Sequence, residues 1–231
     1  SLLKDRYQDI VWIGTDGQGV RMYHQNNEMF RNILSSQLPV KVEKPIRAIF
    51  SDEYNNLWIG TKGDGLLRMK NYSPTHSAMN GYEHYTSENG LSNNSVYSFL
   101  RSNYKKLIWI GTDGPGLSFY SYRHDQIITL PNEQIVKVHS ICEVSEDTLW
   151  LATAGNGILE VIIEDNSNHL SIKAVNEFYL RNGEHVCKEF HSIIYDGRET
   201  LHIGSRGGYG VARFNIHTKD YDFIKMNQGE N

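Results

Sequence analysis

Leu107-Ile108-Trp109-Ile110-Gly111-Thr112-Asp113-Gly114-Pro115-Gly116-Leu117 decides the fold, because the chain repeats it. It recurs upstream as Val11-Trp12-Ile13-Gly14-Thr15-Asp16-Gly17-Gln18-Gly19-Val20 and as Leu57-Trp58-Ile59-Gly60-Thr61-Lys62-Gly63-Asp64-Gly65-Leu66. Weaker copies follow at Leu149-Trp150-Leu151-Ala152-Thr153-Ala154-Gly155-Asn156-Gly157-Ile158 and from Leu201-His202-Ile203-Gly204-Ser205 to Gly210-Val211. The four Trp, and His202 in the fifth copy, are 46, 51, 41 and 52 residues apart. A mean of about 48 residues is the period of a propeller blade. Such a unit cannot bury both faces alone, so neighbouring copies must stack.

Within one unit the period is two. Ile46-Arg47-Ala48-Ile49-Phe50, Leu57-Trp58-Ile59-Gly60-Thr61, Gly65-Leu66-Leu67-Arg68-Met69 and Gly81-Tyr82-Glu83-His84-Tyr85-Thr86 read as short strands with turn residues between them. Four strands make one blade, labelled A to D from the centre outward. No amphipathic helical stripe is sustained anywhere; Glu177 to Arg181 is too short. The fold expected is all-β, a propeller of five four-stranded antiparallel blades over roughly 1–40, 41–90, 91–133, 134–184 and 185–231. The Trp of strand B should lie between stacked sheets, and His202 in its place predicts a more loosely packed fifth blade.

Composition supports this reading and narrows the function. Twenty Gly and fourteen Tyr against five Pro suit many strands and tight turns. A formal net charge of -4 argues against nucleic acid as the main partner, since phosphate binding shows as a basic surplus. No apolar run approaches a membrane span. The opening Ser1-Leu2-Leu3-Lys4-Asp5 has no initiator Met and no apolar signal-peptide core, so a processed or excised piece with a shortened first strand A is expected. Cys142 and Cys187 fall far apart once the repeats are aligned and should be free thiols.

Gly90-Leu91-Ser92-Asn93-Asn94-Ser95-Val96-Tyr97-Ser98, followed by the Trp109 string, resembles the two-component regulator propeller repeat. The resemblance runs through the chain and is strongest in the second and third units; the fourth loses Gly at Ala152 and the fifth loses Trp at His202. It implies a place in a seven-bladed propeller within the periplasmic region of a hybrid two-component sensor of the Bacteroides type. It further implies an oligosaccharide ligand, signalling that regulates polysaccharide utilisation, a homodimer in the full-length sensor, and membrane contact only through segments outside this chain. Kinase activity would reside in downstream domains, so no enzyme activity and no cofactor are expected of the propeller itself.

Strand A aligns as Ile46-Arg47-Ala48-Ile49, Val96-Tyr97-Ser98-Phe99, Val138-His139-Ser140-Ile141 and Phe190-His191-Ser192-Ile193. The first column is apolar and the third small, as packing near a crowded axis requires. The second column, Arg47, Tyr97, His139 and His191, is polar and varied, and should lie near the mouth of a central channel. The B–C turns carry Lys62, Asp64, Asp113 and Arg206 and should open on the same face. Varied donors and aromatic rings suit a carbohydrate, which offers hydroxyls to bond and C–H faces to stack. The plainer alternative is that these groups only solvate the channel entrance.

His185, Cys187, Glu189 and His191 alternate by two and are metal-ligand types, but two of them precede strand A and no metal is expected. Gly14-Thr15-Asp16-Gly17-Gln18-Gly19 leads into a strand, so it lacks the helix terminus of a phosphate loop. Gly116-Leu117-Ser118 lacks the strand-to-helix elbow of a hydrolase nucleophile. Two other classes stay open. Streptogramin-type lyases resemble these Trp-rich repeats, and His139 or His191 would serve one. A protein-interaction platform would use the rim.

Overall fold

The computed structural model describes all residues but 17–18, 25–28, 34–39, 41, 73–80, 167–168 and 225–231, and only the backbone of 29–33. Among the described residues every regular element is a β-strand, and no helix is long and apolar enough to cross a membrane. The strands make five four-stranded antiparallel sheets. The first comprises β1 (Leu2–Lys4), β2 (Ile10–Gly14), β3 (Val20–His24) and β4 (Met29–Ile33). The second holds β5 (Ile46–Ser51), β6 (Leu57–Thr61), β7 (Leu66–Met69) and β8 (Tyr82–Tyr85). The third holds β9 (Val96–Arg101), β10 (Leu107–Thr112), β11 (Leu117–Ser121) and β12 (Gln126–Leu130). The fourth holds β13 (Val138–Glu143), β14 (Thr148–Thr153), β15 (Ile158–Asn166) and β16 (His169–Phe178). The fifth holds β19 (Phe190–Tyr195), β20 (Thr200–Ser205), β21 (Val211–Asn215) and β22 (Tyr221–Ile224). Each is a meander in sequence order, and consecutive first strands pack against one another, which makes them the inner strands of a propeller.

The connection before the fifth blade is more ordered than the sequence suggests. It folds into a two-stranded hairpin of β17 (Leu180–Asn182) and β18 (His185–Cys187).

Burial follows the repeat. Trp12, Trp58, Trp109 and Trp150 are among the largest fully buried side chains. Each belongs to a different apolar cluster. Trp12 lies between the first and second blades, Trp58 between the second and third, Trp109 between the third and fourth, and Trp150 between the fourth and fifth. No cluster of described residues joins the first blade to the fifth. The fifth blade, with His202 in the Trp position, keeps one face open: β21 alternates exposed and buried, whereas β11 is buried throughout. Cys142 and Cys187 are both buried in the last cluster as free thiols.

Two glycines show why the motif needs them. A Cβ on Gly111, in strand B, would lie 2.6 Å from the Val138 carbonyl oxygen of the next inner strand, so Gly lets the blades close up. Gly116 ends the B–C turn at φ 87°, and a Cβ there would meet the Leu130 carbonyl oxygen at 2.3 Å.

Candidate functional site at the inner strands

The second-column residues share a backbone feature that sequence alignment does not reveal. In β5, β9, β13 and β19 the ladder to strand B skips one residue near the start of the strand. The skipped residues are Arg47, Tyr97, His139 and His191. A bulge of this kind re-aims the extra side chain out of the sheet's alternation. Flanking residues hold the bulge in place: Ile46, Val96, Val138 and Phe190 are all buried.

Three of the four side chains touch in sequence around the centre. The Tyr97 and His139 rings stack with centroids 4.4 Å apart and planes 20° apart. His139 and His191 meet edge to face at 4.6 Å, with their Nδ1 atoms 3.1 Å apart. Tyr97 donates its phenol hydrogen to Asp113 Oδ2 at 3.2 Å, which ties the inner strand to its own B–C turn. Arg47 continues the row electrostatically, since its charge acts on the Tyr97 phenol.

The electrostatics follow from this crowding. Burial, then the neighbouring His191, hold the His139 imidazole below its ordinary value, while Asp113 and Glu189 oppose them. At neutral pH His139 is therefore an uncharged ring able both to donate and to accept. Burial and the Asp113 carboxylate push the Tyr97 phenol up, so it remains a donor.

The B–C turns open at the same end of the inner strands. Lys62 is exposed there, and its backbone N–H bonds the Pro45 carbonyl just ahead of β5. Asp64 is turned inward: its Oδ2 accepts the backbone N–H groups of Glu43 and Lys44, both at 2.7 Å, and so orders the lead-in to the second blade. Arg206 is exposed and reaches Glu189 at 3.4 Å. Glu189 was legible in sequence only as one of an alternating set of metal-ligand types; here it is the acid beside both Arg206 and His139. No group of three or more potential ligands able to hold a metal ion occurs among the described residues.

The chain is thus an all-β propeller assembly of five four-stranded blades, with a row of polar bulge residues on its inner strands. Residues 42–63 match the family described as "Two component regulator propeller". No curated protein matches the sequence. Among solved structures, the extracellular domain assigned to a hybrid two component system of B. thetaiotaomicron, BT3049, superposes with a TM-score of 0.67 at 17% identity. That match covers 100% of this chain and 28% of the other. An extracellular domain of BT4673 from the same organism, assigned to a one component system, gives a TM-score of 0.65 at 18% identity, over 96% of this chain and 28% of that one. Another BT4673 extracellular domain, assigned to a hybrid two component system, gives 0.54 at 17% identity, over 96% and 42%. The chain therefore spans between about a quarter and two fifths of the structures it resembles.

Proposed function

We propose that this chain is part of the extracytoplasmic, ligand-sensing region of a two-component sensor and binds an oligosaccharide at the bulge-lined mouth without transforming it. The observation that carries the reading is the contiguous Tyr97–His139–His191 row, placed by one repeated bulge on successive inner strands. A stacking face, the neutral His139 imidazole, and exposed cations at Arg47, Lys62 and Arg206 suit a hydroxyl-rich ligand. Asp113 orients Tyr97, and Asp64 fixes the loop beside Lys62, so both act by positioning. The resemblance to extracellular sensor domains supports an extracytoplasmic location; a periplasmic site, a paired arrangement in the whole sensor, and membrane and kinase parts outside this chain belong to the same proposal.

The lyase reading differs by turnover. His139, with His191 against it, feels the Asp113 and Glu189 carboxylates, the groups a proton-abstracting site would need. Titration calorimetry with a panel of defined oligosaccharides, with product analysis of each mixture, separates the two. Saturable binding of an unchanged ligand, weakened at least tenfold by Tyr97→Ala and by His191→Ala, is the expected result. Chemical change of the ligand that disappears in His139→Ala would overturn it in favour of the lyase.

A further inference from the structure

The C–D hairpin of the fourth blade is twice the usual length. β15 and β16 run for nine and ten residues, while β11 and β12 of the third blade have five each. Past a bulge at Ile162/Ile163 the pairs Ile163↔Ile172, Glu164↔Ser171, Asp165↔Leu170 and Asn166↔His169 extend beyond the reach of strand B, which ends its pairing at Thr148↔Ile162. The overhang packs beside β12 and walls a cleft of about 970 Å³ between the third and fourth blades. Residues of A–B and C–D turns line it, so it opens at the opposite end of the strands from the Tyr97–His139 row.

We infer that this cleft is a second binding site, for a small amphipathic organic anion with a flat apolar body. Its volume is in the range of small-molecule sites. Its apolar wall combines buried Phe119 and Leu130 with Leu170 and Ile172, which are only partly covered although they pack against the core. Tyr54, which leans on the Tyr122 ring at 5.0 Å, and Tyr104 also line the cleft and expose 49% and 54% of their surface, leaving aromatic surface for stacking. The charge lining the cleft runs against the charge of the molecule. The chain is net -4 with His counted as neutral, yet on the same count Lys105, Lys106 and Arg123 outnumber Asp165 and Glu146 there. Lys105 Nζ already holds Glu146, through its carbonyl at 2.7 Å and Oε1 at 3.4 Å, so that cation and that acid offset each other and Lys106 remains an exposed cation of the rim. A concave, partly apolar wall with a cationic rim recognises a ring carrying a carboxylate or sulfonate, and it does so independently of the inner-strand site.

The test uses 8-anilinonaphthalene-1-sulfonate as the probe and the uncharged N-phenyl-1-naphthylamine as its control, titrated by calorimetry and fluorescence. Saturable 1:1 binding is expected for the sulfonate, at least tenfold tighter than for the neutral amine. Lys106→Glu, an exposed position, should weaken the sulfonate tenfold or more. Ser171→Trp should fill the cleft and abolish binding, while His191→Ala at the other end should change nothing. Loss of binding in Ser171→Trp counts only if its far-UV circular dichroism matches the parent; Lys106→Glu stands as the independent variant. Non-saturable binding, equal affinity for the two probes, or no response to Lys106→Glu overturns the proposal.

Discussion

Asp52 shows how far one residue carries the motif. It is fully buried at the turn between strands A and B, where Oδ1 accepts the N–H groups of Tyr54 and Asn56. Oδ2 takes the Trp58 indole N–H at 2.9 Å and the Tyr122 hydroxyl of the next blade at 2.9 Å. Asp5 holds Trp12 in the same way at 3.0 Å, and Asp196 caps the corresponding turn of the fifth blade. In the third and fourth blades Ser102 and Val144 stand there, and the buried indole nitrogens of Trp109 and Trp150 have no partner among the described residues. The tryptophans were legible in sequence as core; their acceptor was not, because it lies across a turn and is missing from two copies. Asp52→Ala strands several buried donors at once and should cost about 3 kcal/mol, read as the shift of the urea-unfolding midpoint. A loss below about 1 kcal/mol would contradict this account. His139 adds a pH dependence of known sign. Its folded value is depressed, so the unfolded chain binds more protons in mild acid. The stability tied to it is complete above the unfolded value of about 6.5 and drains as pH falls through the folded one. Between pH 8 and 5.5 the His139→Asn variant should therefore lose less stability than the parent; equal losses would refute the assignment.

At the scale of elements, the turns were readable and the bulges were not. Two glycines in a ten-residue string announce a turn by composition alone. A bulge appears only when two strands are set in register, and it is the bulge that turns Arg47, Tyr97, His139 and His191 from an alignment column into one row. The β15–β16 overhang was hidden for another reason: its alternation continues beyond the strand that would have bounded it, and sequence spacing alone does not show where pairing stops. The turns themselves allow a controlled test. Gly116 and Gly155 both have positive φ, 87° and 135°, but a Cβ would strike the Leu130 carbonyl only at Gly116 and would meet nothing within 4 Å at Gly155. Both alanine variants carry backbone strain of about 1–3 kcal/mol. Gly116→Ala adds a clash with backbone that has little room to retreat, so its thermal midpoint should fall clearly further than that of Gly155→Ala. Equal falls would show that the close approach of strand D contributes nothing.

Across the whole molecule, the blades are joined by clips whose charges are reversed from one interface to another. In the second blade Arg68 pairs in register with Trp58 and keeps only 10% of its side chain exposed. It binds Glu83 of its own strand D at 3.0 Å and reaches Asp125, in the C–D turn of the third blade, at 2.8 Å. Two blades on, Glu160 pairs in register with Trp150 and reaches Lys219, in the C–D turn of the fifth blade, at 2.9 Å. Both turn residues are left-handed, with φ 49° at Asp125 and 65° at Lys219, and both cations lie over the buried Trp, at 5.0 Å for Arg68 and 4.7 Å for Lys219. The strand D neighbour changes in step: Glu83 beside the arginine becomes Asn176, whose amide donates to Glu160 at 3.1 Å. The fifth blade then repeats the first half of the pattern on its open face, as the Arg213–Asp222 pair. This correspondence makes the interfaces transplantable. Reversing Arg68 alone to Glu buries an unpaired carboxylate beside Glu83 and Asp125 and should cost about 3–5 kcal/mol. The triple variant Arg68→Glu, Glu83→Asn, Asp125→Lys rebuilds the arrangement of the fourth and fifth blades and should recover most of that loss. Arg68→Glu with Asp125→Lys but Glu83 retained should fall between, because one carboxylate still faces another. Urea midpoints of the three variants decide the matter: if the triple is no more stable than Arg68→Glu alone, the clips are not equivalent and the order of blades is set by apolar packing instead.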